Sequence, residues 1–251
     1  MGNNMRTCMF CHKIDLTRED AWPLWLMKRF PTSRTSYMDA ERGGQKLGSW
    51  HMAEPKLPVK WICATCNNGW MSSLENKAKP VLESILDDKL KIIDSSCQST
   101  LALWAVKTAM VLECLSPNRT MFYSDDERQL MRATQSLPPR TSVWIAKCIN
   151  QPNIYSAARD LRTTQDDNGV HAYVTTMAFG SLAFQIVSIK IPTTIPENVT
   201  LTYDVTDGPW DQTLLQVWPS IQESIEWPAH YGLNSERGID ALSERLSPIE
   251  R

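Results

Sequence analysis

Four of the seven cysteines sit in two C-x-x-C pairs, CMFC at residues 8–11 and CATC at residues 63–66. Two thiolates separated by two residues form a tight knuckle that can aim both sulfurs at one ion, and two knuckles supply the ligand set of a closed tetrahedral zinc site. This is a strong constraint on folding, because residues roughly fifty positions apart must meet at one point. The gap exceeds the roughly 15–20 residues of a compact ribbon, so a segment is inserted between the knuckles. A redox site is the alternative, but it needs one C-x-x-C on a βαβ scaffold, and neither pair has that setting. Unligated core cysteines are the blander alternative. The spacing favours a structural Zn²⁺ held by Cys8, Cys11, Cys63 and Cys66. Cys97, Cys114 and Cys148 are isolated on apolar segments and read as ordinary buried cysteines.

Composition bounds the rest. A chain of 251 residues with 42% hydrophobic and 22% charged residues can bury a sizeable core and lacks the bias of disorder. The net charge of −2 is unevenly placed. Residues 1–80 carry 12 Lys and Arg against 7 Asp and Glu, whereas residues 81–251 carry 14 against 21. A polyanion would therefore be met by the front of the chain. The start, MGNNMRTCMF, has no apolar run of the signal-peptide kind and Arg6 breaks the myristoylation pattern. The most apolar helical segment, residues 101–115, is too short to span a bilayer and carries Lys107 at its middle. A cytoplasmic protein is expected, and in a reducing compartment paired cysteines hold metal more often than they form disulfides.

Residues 21–30 place Trp22, Trp25, Leu26 and Phe30 at helical spacing, with Pro23 in the first turn. Residues 31–58 are polar, with Gly43-Gly44, Pro55 and Pro58, and read as an irregular insertion. PVKWIC at 58–63 alternates like a strand. After Cys66 the period turns helical through Trp70, Leu74, Ala78 and Leu82, with Asn67 or Asn68 available as N-cap and Pro80 expected to kink the helix. A second helix at about 99–115 is apolar almost all round and belongs in a core. Ser124-x-x-Glu127 is a capping box opening a third. From residue 141 the segments TSVWIAKCI, HAYVTTMAFG and LAFQIVSIKI read as strands, the last two as a hairpin. The expected fold class is α+β: a zinc-bound N-terminal module at residues 1–92, then helices and a mostly antiparallel sheet at residues 93–251.

The combination of C-x-x-C, an acidic pair before W-P-x-W-L, and C-x-x-C-N-N-G-W-M-S-x-L-E resembles the HNH endonuclease-like family, a group frequent in phages and mobile elements. The resemblance covers residues 8–30 and 61–90 and is diffuse elsewhere. It implies a ββα-metal fold, in which two strands and a helix wrap one catalytic divalent cation, Mg²⁺ or Mn²⁺, while the four-cysteine zinc ties the strands to the helix. It implies that Glu19 stands at an acidic metal ligand and Asn67 at the final ligand. At position 20, where the family has its general-base histidine, this chain has Asp20. Pro58 stands where the family has a middle asparagine.

The implied activity is metal-dependent hydrolysis of DNA phosphodiesters, with Glu19, Asp20 and Asn67 catalytic and Lys13, Arg18, Lys28 and Arg29 on the phosphate backbone. A carboxylate is a weaker base than imidazole at neutral pH, so the departure at Asp20 lowers the expected rate. The alternative is an inactive relative that keeps the scaffold to bind nucleic acid or a protein partner, for example as a phage-borne inhibitor of host defence. A zinc-ribbon interaction protein with no nuclease ancestry is the third reading. His51, in the insertion, is the candidate substitute base. His12, beside Cys11, reads as a surface or supporting residue, and His171 and His230 have no chemistry nearby in sequence. Taken without the resemblance, Thr17-Arg18-Glu19-Asp20 reads as a cap and acidic first turn for the Trp22 helix. Trp22, Trp25 and Trp70 read as core plugs.

Overall fold

The computed structural model describes residues 6–31, 36–42, 45–52, 56–115, 121–149, 154–162, 169–193 and 203–248. Of residues 36–42, 45–52, 203–204 and 247–248 it describes the backbone alone. The chain begins with β1 (Leu16–Asp20), α1 (Leu24–Arg29), β2 (Ser36–Arg42), β3 (Gln45–Met52) and β4 (Pro58–Cys63). A three-residue turn, α2 (Ala64–Cys66), and a π turn over Asn67–Met71 lead into α3 (Ser72–Leu86). Then follow β5 (Ile92–Asp94), α4 (Ser95–Glu113), α5 (Asp125–Thr134), β6 (Thr141–Ile149), β7 (Tyr155–Arg162), β8 (His171–Phe179) and β9 (Leu182–Lys190). The last elements are β10 (Tyr203–Val205), α6 (Trp210–Thr213), β11 (Leu215–Trp218), β12 (Ser224–Glu226), β13 (Leu233–Asn234), α7 (Ser235–Glu244) and β14 (Leu246–Pro248). The class is α+β, as expected.

The main sheet has the order β11-β6-β9-β8-β7-β2-β3, with β13 also pairing β6. Its centre is the antiparallel run β6-β9-β8-β7. These strands are apolar on both faces because both are covered. Val143, Ile145, Met177, Phe179, Phe184 and Ile186 join the core on the α4 side. Ala146, Cys148, Ala178 and Ala183 face Ile239 and Leu242 of α7. β8 and β9 form the expected hairpin, turning at Gly180 with φ +55, where a Cβ would lie 2.4 Å from the Phe30 ring. Glycine is required there on both counts.

α4 is the central helix. Residues 101–102 and 104–113 are all buried, and the Trp104 ring lies 5.9 Å from Phe179 and 5.8 Å from Phe184. Its all-round apolar sequence follows from packing between α3 and the sheet. Burying each such large side chain is worth about 1.5–3 kcal/mol. α4 is followed by α5, whose Ser124–Glu127 capping box forms as expected. Among the described residues no helix is long and apolar enough to cross a membrane.

Three local expectations are corrected. The stretch read as an irregular insertion holds β2 and β3, which pair with each other, β2 lying parallel to β7 at the sheet's end. Gly43-Gly44 and Pro55 lie outside the described residues. The strand identity of β2 and β3 comes from an edge, β7, supplied more than a hundred residues later, which local composition does not encode. α3 runs through Pro80 as one helix. An interior proline costs about 3 kcal/mol, here offset by Leu74, Ala78, Leu82 and Ile85, all buried on one face. Asn67 and Asn68 do not cap the helix, because it begins earlier: the Cys66 N–H points at Cys63 Sγ at 3.4 Å and Cys63 is the cap residue.

Candidate metal centre and acidic pocket

β1 and β4 form a separate two-stranded antiparallel sheet, with Leu16 opposite Cys63 and Asp20 opposite Pro58. The register fixes two different ends. One end meets the cysteine knuckles, and the other carries the acidic pair. Val59 and Ile62 of β4 are buried, and Thr17 Oγ1 donates to the Ile62 carbonyl at 3.1 Å. Pairing shifts between Thr17 and Glu19, a bulge of the kind that re-aims neighbouring side chains. After Cys63 the chain passes through α2 and the π turn directly into α3.

At the first end the four cysteine sulfurs all lie within 4.8 Å of one another, with Cys11 Sγ 3.4 Å from Cys63 Sγ. A tetrahedral zinc with bonds of about 2.3 Å sets its sulfurs about 3.8 Å apart, so the cluster fits a structural zinc. Cys8, Cys63 and Cys66 are fully buried and Cys11 partly so. The first knuckle closes through His12 N–H to the Cys8 carbonyl at 2.8 Å and Cys8 N–H to the Lys13 carbonyl at 2.7 Å, with His12 at φ +60. Burial pushes the Cys8 and Cys66 thiols above their ordinary value, and neighbouring thiols add to it at both. A dication reverses that balance by replacing the protons. Among the described residues this is the one group of three or more Cys, His, Asp or Glu with ligand atoms so close. Of the other cysteines Cys148 is buried, while Cys97 and Cys114 are only partly so.

At the second end lies a pocket of about 350 Å³. Glu19 and Asp20 reach it from β1, Trp22 and Met27 from α1 and the residues before it, and Asn67, Asn68, Met71, Ser72 and Glu75 from the π turn and α3. Positions 68, 71, 72 and 75 recur at helical spacing, so one face of that segment forms the wall. Lys107 and Val111, four apart on α4, form the back. Glu19 is half-buried and Asp20 exposed. Neither caps a helix: α1 starts at Leu24 behind Pro23 and has no acidic residue in its first turn. The π turn, with Gly69 outside helical geometry at φ −94 and ψ −110, is a local irregularity of the kind that recurs at functional sites.

The pocket thus gathers Glu19, Asp20 and Asn67, while Glu75 and Lys107 are members that sequence reading missed. Glu75 falls within the quoted motif but had no assigned role. Lys107 sits on a helix apolar all round, where only its charge was a signal. Lys107 is 4% exposed, and burial lowers its pKa to about 8 although Glu75 opposes the shift.

The basic residues do not share this pocket. Arg18 lines another, of about 330 Å³, with Arg6, Lys60 and Trp61, and the Arg6 guanidinium lies 5.4 Å over the Trp61 ring. Lys13 Nζ is 3.5 Å from Thr65 Oγ1 beside the second knuckle. Lys28 is exposed, while Arg29 is bound to Asp87. Arg6, Lys60 and Trp61 were not among the expected contacts, although Lys60 and Trp61 alternate along β4. The histidines are elsewhere. His12 Nε2 is 3.3 Å from Asp125, His171 Nε2 is 2.6 Å from Asp160, and His230 packs on Tyr231. The side chain of His51, on β3, lies outside the described residues. Trp22 is buried against Phe179, whereas Trp70 is half-buried against Phe10, with ring centroids 5.0 Å apart, and Trp25 is half-buried too.

The chain matches no protein-family model, no curated protein and no solved structure, so what the two ends of the hairpin do is argued from their geometry.

Proposed function

We propose that this chain is an HNH-like endonuclease, a zinc-pinned strand–strand–helix unit whose acidic pocket hydrolyses DNA phosphodiesters. The observation that carries the reading is the convergence of Glu19, Asp20 and Asn67, from separate stretches of sequence, on one pocket. The antiparallel pairing of β1 with β4, with α3 following β4 in the chain, is in keeping with that reading. The oxygen donors of Glu19, Asp20 and Asn67 suit a hard cation such as Mg²⁺ or Mn²⁺. They form no preassembled cage, in keeping with ions that retain waters and take substrate phosphate as further ligands. When bound, such an ion supplies Lewis-acid stabilisation of the phosphoryl charge and the leaving oxygen.

The protein's own residues do the rest. Glu19 and the Asn67 amide oxygen would hold the cation together with Asp20, which at the exposed rim can accept a hydrogen bond from water. As a carboxylate it is a poorer base than imidazole, and general-base catalysis is worth about 10²–10⁴-fold, so slow cleavage is expected. Arg18, Lys60 and Arg6, with Trp61 as a stacking face, would carry the backbone on either side.

A second reading, an inactive relative that binds DNA or a protein partner, is favoured by one observation: among the described residues no histidine lines the pocket. Plasmid cleavage with Mg²⁺ and with Mn²⁺, run beside Asp20→His, decides between them. Cutting by both, faster with histidine, supports the enzyme. Cutting by Asp20→His alone makes the native chain a binding protein on a nuclease scaffold. No cutting by either zinc-loaded protein sinks the nuclease ancestry.

A further inference from the structure

Lys107 is the member of the pocket with no evident structural employment. Its side chain is 4% exposed and projects from the middle of α4, the most buried helix. The described structure gives its amine no hydrogen-bond or ion-pair partner, only the Trp104 ring with Nζ 5.6 Å from the centroid. The buried pair Arg128–Glu113, at 2.7 Å, shows how this fold otherwise treats an interior charge. An ammonium held in the interior without such a partner costs several kcal/mol. Here the open side of Lys107 is the pocket, whose other ionisable side chains are the carboxylates Glu19, Asp20 and Glu75. Carboxylates at the mouth and an amine at the back form a dipolar cleft. A cation belongs at the front of it and an anion with a free acceptor oxygen at the rear.

We propose that Lys107 is the anion-holding residue of this pocket, donating to a non-bridging oxygen of a phosphate group seated between it and the carboxylate end. The inference rests on the nuclease reading only for the identity of the molecule that carries the phosphate; the site itself follows from the cleft. A phosphate fits better than a carboxylate ligand, because it offers oxygens in opposite directions, one for the amine and others for a cation at Glu19 and Asp20. Glu75 stands on the pocket wall within electrostatic range of Lys107 and keeps the amine company when the pocket holds no anion.

The test is calorimetric titration of inorganic phosphate, in Mg²⁺, into the zinc-loaded full chain, into Lys107→Met and into Glu75→Gln, with thermal unfolding of each. A charge-assisted hydrogen bond of about 1.5–3 kcal/mol corresponds to roughly 10- to 150-fold in affinity. Lys107→Met should lose at least about tenfold while melting no lower than wild type, since an apolar chain of similar length relieves the desolvated charge. Glu75→Gln should bind phosphate more tightly, having lost a competing anion. Unchanged phosphate affinity in Lys107→Met, no phosphate binding by wild type, or a marked loss of stability in Lys107→Met would each overturn the assignment, the last by making the amine structural. Plasmid cleavage run in parallel separates this from the nuclease reading. If wild type binds phosphate through Lys107 but never cuts DNA, the site stands and the nuclease reading falls. If wild type cuts and Lys107→Met cuts and binds phosphate equally well, the reverse holds.

Discussion

The two ends of the β1–β4 hairpin are built from the same strands and the same following helix, yet their chemistry is opposite. The cysteine end is closed. Its four sulfurs lie within 4.8 Å of one another, mostly buried, with backbone hydrogen bonds tightening the first knuckle. A tetrahedral ion there has no open position, which is the mark of a structural site. The carboxylate end is open. Its donors are spread round a pocket of about 350 Å³, Asp20 is exposed, and a buried amine at the back has no hydrogen-bond partner among the described residues. One end can be satisfied by a single ion, and the other, on the proposed reading, by a ligand that comes and goes. The contrast separates what holds the fold from what the fold holds.

The largest effect should come from breaking the closed end. Structural zinc in small sites carries an apparent binding free energy of about 10–16 kcal/mol, comparable with or greater than the whole stability of a domain. Cys66→Ser is therefore expected to lose zinc and its cooperative thermal transition together, read by metal content and circular dichroism. A zinc-free variant that melts like wild type would remove the cluster from the account of the fold.

Next come the two interior charges, one paired and one not. Glu113→Ala should cost about 3–5 kcal/mol in urea unfolding, because buried Arg128 would keep only the longer, exposed contact with Asp125 at 3.5 Å. Glu113 also accepts from the backbone N–H groups of Phe122 and Tyr123, so the loss extends to the entry of α5. Glu113→Leu combined with Arg128→Met should recover most of it.

Lys107 should behave in the opposite way. Its pKa is lowered from 10.5 to about 8, so between those values the unfolded chain binds the extra proton. Stability then rises with pH across that window, and the full penalty is present below pH 8. Lys107→Met should accordingly exceed wild type in stability by roughly 3 kcal/mol at neutral pH, on 1.36 kcal/mol per unit, and the difference should close towards pH 10. A difference independent of pH would mean that the amine is not buried in its charged state.

How much of this could be read before folding follows from how local each signal is. The cysteine cluster was legible because two-residue spacing is itself the geometry of a knuckle. The Ser124–Glu127 box and the core helix α4 were legible for the same reason, since caps and helical periods are written within one turn or two. β2 and β3 were not, because their place in the sheet depends on β7. Asn67 lines the acidic pocket, but its reading as a helix cap failed, since Cys63 starts the helix earlier. The role of Lys107 was hidden by its setting. On a helix buried all round, nothing in the sequence says which side chain meets a cavity.

The smallest effects are expected at the cationic rim. If DNA runs past the Arg6–Arg18–Lys60 pocket, Arg18→Ala should weaken binding about equally for all sequences and lower the salt-dependence slope by about 1. Arg29→Ala should leave that slope unchanged, because its guanidinium is already held by Asp87. Equal slopes for both variants would place the DNA elsewhere.

The most direct test of the contrast between the two ends is a count of ions by kind. The full chain, Glu19→Ala and Asn67→Ala would each be analysed for zinc and titrated with Mn²⁺ under electron paramagnetic resonance. One tightly held zinc per chain in all three, with a weaker Mn²⁺ site present in wild type and lost in both variants, is the expected result. Mn²⁺ binding untouched by Glu19→Ala and Asn67→Ala would contradict it, and the acidic pocket would then be no metal site at all.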